Sequence, residues 1–158
     1  MKHRIRVAGI IRQSEKILLI EQENPRTGIR TWSVPGGGLE PDDLDIFAGV
    51  VREVYEETGL RVTCGPIRCI SEYTSTVNNF MQVGIWIECY LRENEAPESV
   101  HLSNNRPDDY LTGVRWWSKE ELFSEARVGS NLLKADFWAS LEAPEGMVTY
   151  LGKKIETE

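Results

Sequence analysis

Apolar and polar positions along the chain first alternate in short runs, then repeat with a helical period, then alternate again. From Ile5 to Ile11 and from Lys16 to Glu21, β-branched and long apolar residues dominate; Gln13, Ser14 and Glu15 separate them, which predicts two strands and a turn. Asn24 to Gly28, with Pro25 inside it, predicts a loop, and Trp32 to Val34 a short strand. Pro35 and the triplet Gly36, Gly37 and Gly38 break regular structure, so a loop is expected to about Asp43. Asp45 reads as an N-cap, Ile46 to Thr58 as a helix, and Gly59 as the residue just past its end. At helical spacing Phe47, Val50, Val51, Val54 and Thr58 share one arc, which is expected to face the core.

Val62 to Tyr73 and Met81 to Leu91 read as strands joined by a polar turn from Thr74 to Asn79. Glu93 to Asp109 holds Pro97 and Pro107 and has no apolar period, so it is expected to be a long surface loop. Val114 to Trp117 returns to a strand. Ser118 caps a helix through Ala126, with Glu121 placed for a capping box, and Leu132 to Leu141 predicts another helix. There is no internal repeat, and 158 residues suit one core, so residues 1–158 are expected to form a single α+β domain.

Composition narrows the chemistry. No apolar run reaches the length of a bilayer span, and the basic opening segment Met1 to Val7 lacks the apolar stretch of an export signal. Cys64, Cys69 and Cys89 are odd in number and lie in strand-like surroundings, which fits reduced, buried thiols and a cytoplasmic location. With only His3 and His101 as imidazoles, a zinc site has little to build from. The formal charge of −7 disfavours a nucleic-acid polymer as partner, because binding to its backbone needs clustered Lys and Arg. A phosphorylated small molecule remains compatible with that charge when a cation bridges it to the protein.

The helix offers such a cation site. Glu53, Glu56 and Glu57 stand at i, i+3 and i+4 on the side away from the apolar arc. An acidic solvated face is the ordinary reading of this spacing. Against it, like charges repel by about 0.2–0.5 kcal/mol per pair and sit near the negative end of the helix dipole. A bound ion removes both penalties, and carboxylate oxygens are what Mg²⁺ takes as ligands. Arg52, one turn before Glu56, is spaced to pair with it. The glycine triplet leading into this helix lets backbone approach an ion or a phosphate closely.

Gly37 to Leu60 resembles the Nudix box. The run Arg52, Glu53, Val54, Tyr55, Glu56, Glu57, Thr58, Gly59, Leu60 matches every defined position of its second half, and Trp32 through Gly37 looks like the usual lead-in. The first half departs by one residue. Counting back from Arg52 puts the family's first glutamate at Leu44, whereas counting forward from Gly37 puts it at Asp43. Either Asp43 takes over with a shorter reach, or the support for Arg52 is missing.

The resemblance implies an α/β/α sandwich around a mixed sheet and a pyrophosphohydrolase dependent on Mg²⁺, with Mn²⁺ as a substitute. By resemblance the metal ligands are Glu53, Glu56, Glu57 and the carbonyl of Gly37 or Gly38. Arg52, Glu53, Glu56 and Glu57 form the catalytic set. Glu56 or Glu57 serves as base, or else an acid of the later loop such as Glu98 or Asp109. A homodimer is also implied. Arg26 and Arg30 precede Trp32 and are candidates for phosphate, with solvated surface charge as the plain alternative.

Trp32, Tyr73, Phe80 and Trp86 are candidates to stack on a base, although aromatics on strands are commonly core, and of Trp116 and Trp117 at most one faces any pocket. The family's ADP-ribose members commonly carry a proline past the box; Tyr73 to Phe80 has none, and the coenzyme A motif is not apparent. A nucleoside triphosphate or another nucleoside diphosphate derivative is the expected substrate by elimination, with ADP-ribose or a nucleotide sugar as the alternative. Rival readings are a Nudix-fold nucleotide sensor, a prenyl-diphosphate isomerase lacking its early cysteine, and an acidic interaction surface.

Overall fold

A computed structural model describes residues 1–103, 110–125 and 127–157. The described strands are β1 (Lys2–Gln13), β2 (Lys16–Glu23), β3 (Arg30–Ser33), β4 (Gly36–Gly38), β5 (Val62–Ser75), β6 (Phe80–Leu91), β7 (Leu111–Ser118) and β8 (Thr149–Glu156). The helices are α1 (Ile46–Thr58), α2 (Lys119–Glu125) and α3 (Ala135–Ser140). The mixed sheet runs in the order β3-β2-β1-β6-β5-β8, with β4 on β1 and β7 on β2. Its centre is the long parallel pairing of β1 with β6, from Lys2 opposite Phe80 to Ile11 opposite Cys89.

Period-two alternation along β1 and β2 feeds two cores. Val7, Ile11 and Leu18 join Val50 and Val54 of α1, Ile87 and Cys89 on one face. Ala8, Ile10, Ile17 and Leu19 point the other way and meet Leu122, Leu132, Phe137 and Leu141. Helices therefore cover both faces, giving the expected α/β/α layers. Of the cysteines, Cys69 and Cys89 are buried, Cys64 is half-buried, and all three are free.

Several details differ from the sequence expectation. The glycine triplet is a strand, with Gly36–Gly38 paired antiparallel to Ala8–Arg6. Only glycine permits it, since a Cβ at Gly36 would sit 2.2 Å from the Val7 carbonyl oxygen. The expected helix from Leu132 to Leu141 is split at Lys134, whose extended backbone separates a 3-10 turn, Ser130–Leu133, from α3. The Lys134 ammonium donates to the Leu151 carbonyl of β8, and Trp138 Nε1 donates to Leu132 O, a carbonyl that a continuous helix would have bonded to its own backbone. Strand β8 was not expected: TYLGKKIE has no apolar alternation, and Gly152 at φ +91° accompanies a register shift against β5. Within the expected Glu93 to Asp109 loop lies a 3-10 turn, Pro97–Ser99; Asp109, like Ala126, falls outside the described residues.

Candidate active site

Helix α1 is capped as its sequence predicts. Asp45 Oδ1 accepts the Ala48 N–H at 2.8 Å, and Gly59, at φ +72°, donates its N–H to Tyr55 O at 2.9 Å. The buried stripe, however, is Gly49, Val50, Glu53, Val54, Glu57 and Thr58, whereas Phe47 is 38% exposed. Relative to the expected arc the helix is rotated, because its glutamate side packs on β4 rather than facing solvent. Glu53 and Glu57 are only 4% and 2% exposed.

Contacts with the glycine strand fix this rotation. Glu57 Oε1 accepts the Gly36 N–H at 2.6 Å. A Cβ on Gly37 would lie 2.6 Å from the Glu53 carboxylate, so that carboxylate occupies the space a side chain would fill. Arg52 gathers the rest: Nη1 donates to Glu53 Oε1 at 2.7 Å and to Glu56 Oε2 at 3.3 Å, and Nη2 to the Gly38 carbonyl at 3.2 Å. Its Nε and Nη2 also form a fork on Asp43, both at 2.8 Å, the strong planar geometry of a guanidinium on a carboxylate. These Asp43 bonds, aided by Glu53, hold the Arg52 guanidinium well above the usual arginine range. The irregular half of the motif thereby resolves. Asp43 supports Arg52 and is nearly buried, while Leu44 is 90% exposed.

Arg6, which the sequence reading passed over, reaches this site from β1. It is half-buried, donates from Nη2 to Val34 O at 3.0 Å, and its pKa is lowered by burial, against which Glu57 and Glu53 favour the charged form. It also lines a cavity of about 240 Å³ with Ser71, Tyr73, Gln82, Gly84 and Trp86. The only sequence signal was a cation interrupting an apolar alternation. Of the aromatics considered for stacking, Tyr73 and Trp86 line this cavity, whereas Trp117 is core and packs edge-on against Trp32 at 5.1 Å.

The other expected residues lie apart. Arg26 lines a separate groove of about 440 Å³ with Asn78 and Tyr110, and Arg30 pairs with Glu23 at 3.1 Å on the surface. Glu98 is exposed on its 3-10 turn. Among the described residues, no three His, Cys, Asp or Glu side chains are arranged to hold a metal ion by themselves. An ion at the α1 carboxylates would take further ligands from water and phosphate, which is how Mg²⁺ is usually held. The Gly37 cradle and the all-oxygen donor set suit that ion.

A family model described as NUDIX domain matches residues 2–138. The chain belongs to the Nudix hydrolase family. Among relatives, it is 44% identical to a MutT-like protein of Streptomyces ambofaciens over 113 residues, 68% of this chain and 66% of that one. It is 32% identical to Nucleoside diphosphate-linked moiety X motif 6 of Homo sapiens over 92 residues, 57% of this chain but 28% of that protein. The fold is similar to that of a MutT protein from Methanosarcina mazei Go1, with TM-score 0.67 and 25% identity over 89% of this chain and 94% of that one. No helix among the described residues is long and apolar enough to cross a membrane.

Proposed function

We propose that this Nudix domain, filling residues 1–158, hydrolyses a phosphoanhydride bond in a nucleoside triphosphate or another nucleoside diphosphate derivative, using Mg²⁺ or, in its place, Mn²⁺. The observation that carries this reading is a pair of nearly buried carboxylates, Glu53 and Glu57, fixed beside a side-chain-free strand. Glu53, Glu56 and Glu57 would hold the metal, with the carbonyl of Gly37 or Gly38 as backbone ligand; that of Gly38 lies on the Arg52 side of the strand and that of Gly37 on the β1 side. Bound there, the ion would supply neutralisation of the phosphate oxygens and activation of water.

The chain's own residues divide the remaining work. Arg52 fixes the Glu53 carboxylate and is itself locked by Asp43. Glu57 is tied to the Gly36 N–H, which leaves Glu56, the most exposed of the three, as the general base that takes a proton from water. Arg26 and Arg30 do not touch the carboxylates; their part in the proposal is contact with a phosphate, with solvated surface charge as the plain alternative. The fork on Asp43 also supports an enzyme over a sensor, since the support that the shifted motif put in question is present. Three free thiols support a cytoplasmic location, and sedimentation velocity tests the expected homodimer.

Phosphate or pyrophosphate release from a nucleotide panel with Mg²⁺ tests the reaction. Glu56→Gln is expected to lower kcat by about 10²–10⁴-fold with an unchanged melting temperature. Activity near wild type in that variant would remove Glu56 from the base role, and no release from any nucleotide would favour a binding-only domain.

A further inference from the structure

The sheet face away from α1 carries a slot built by strand register. Arg6 of β1 is opposite Gly84 of β6, and Gly84 is opposite Ser71 of β5. On one side of that row stand Arg4, Gln82 and Tyr73; on the other stand Ala8, Trp86 and Cys69. Arg4, Gln82, Tyr73 and Trp86 thus stand beside a central row that has little bulk beyond Arg6. A Cβ on Gly84 would already lie 2.8 Å from Ser71 Oγ and 3.3 Å from Trp86 Nε1. Ser71 and Trp86 thus close over Gly84, and the cavity of about 240 Å³ beside this row has the Trp86 and Tyr73 side chains among its walls, which suits a flat ring.

The polar groups around the recess are mainly donors. A guanidinium has five N–H donors, and among the described residues Arg6 makes one hydrogen bond, to Val34 O, and no ion pair. Ser71 Oγ accepts from Trp86 Nε1 at 2.9 Å, which leaves its own O–H to donate. Gln82 Oε1 accepts from Arg4 Nε at 2.7 Å, which leaves its amide N–H groups. Glu72, at the rim, accepts from the Tyr150 hydroxyl at 3.1 Å.

We propose that this slot takes the substrate's nucleobase and that Arg6 is its specificity-determining residue, selecting bases that carry a ring carbonyl where adenine and cytosine carry an amino group. Guanine, hypoxanthine and uracil present acceptors to the Arg6 fork; adenine and cytosine turn a donor toward it. The inference rests on the nucleotide-hydrolase reading for its substrate, and it places the base on the Arg6 side of Glu57.

Calorimetric titration of the full chain with GMP, UMP, AMP and CMP tests it without requiring hydrolysis or metal. GMP and UMP are expected to bind at least about tenfold more tightly than AMP and CMP, a ratio within the usual worth of such a contact. Arg6→Gln should abolish the difference. Should that variant fail to fold by circular dichroism, Arg6→Lys, which keeps the charge and loses the fork, should still reduce it. Equal affinities for all four, no binding of any, or a variant that weakens all four alike would overturn the assignment. Because the release assay on Glu56 is separate, failure of the hydrolase reading and failure of this one can be told apart.

Discussion

At the scale of single residues, the site depends on one missing side chain. Gly37 leaves room for the Glu53 carboxylate, which Arg52 pins at 2.7 Å, so an added methyl has no flexible neighbour to displace except the proposed ligand itself. Gly37→Ala is therefore expected to weaken Mg²⁺ binding and lower kcat/KM by at least about tenfold, a loss of about 1.4 kcal/mol. Wild-type dependence on Mg²⁺ concentration in that variant would contradict the cradle. The acidic triplet and Arg52 were legible in the sequence because helical spacing alone puts them together. Arg6 was not, since a strand position says nothing about which cavity lies above it.

Among the elements, β8 shows how a strand without apolar alternation is held. Its end is fixed by Glu156, which accepts hydrogen bonds from Ser75 Oγ at 2.6 Å and Tyr73 Oη at 2.8 Å. These bonds, Ser75's first, keep the Glu156 carboxyl below its ordinary 4.5. A group with a depressed folded pKa contributes stability above its unfolded value and loses it as pH falls through the folded one. The wild-type melting temperature should thus fall more steeply below about pH 4.5 than that of Glu156→Gln, which lacks this titration. Parallel profiles for the two proteins would exclude the contribution. Sequence pattern found the long strands and α1 because propensity and tertiary demand agree there. It missed β4, where glycine serves close approach rather than a turn.

For the whole molecule, the C-terminal layer is tied to the sheet by charge as well as by apolar contact. Glu88, 5% exposed, binds Arg68 Nε at 2.7 Å and Arg12 Nη2 at 2.9 Å, while Arg68 and Arg12 also reach the Ala143 carbonyl and Glu142. Glu88→Ala leaves the Arg68 guanidinium uncompensated in a nearly buried position, and a loss of roughly 3–5 kcal/mol in chemical denaturation is expected. A loss below about 1 kcal/mol would show that water satisfies Arg68 instead. By itself the sequence determined the capped helix, the carboxylates it carries and the strand pairs around it, because those follow from spacing within one element. Only the tertiary structure decided that Asp43 rather than Leu44 supports Arg52, that Glu53 and Glu57 are buried, and that Arg6, Gly84 and Ser71 share a row. Each of these is set by how a loop folds back on the helix, by helix rotation or by strand register, which residue spacing within one element does not encode.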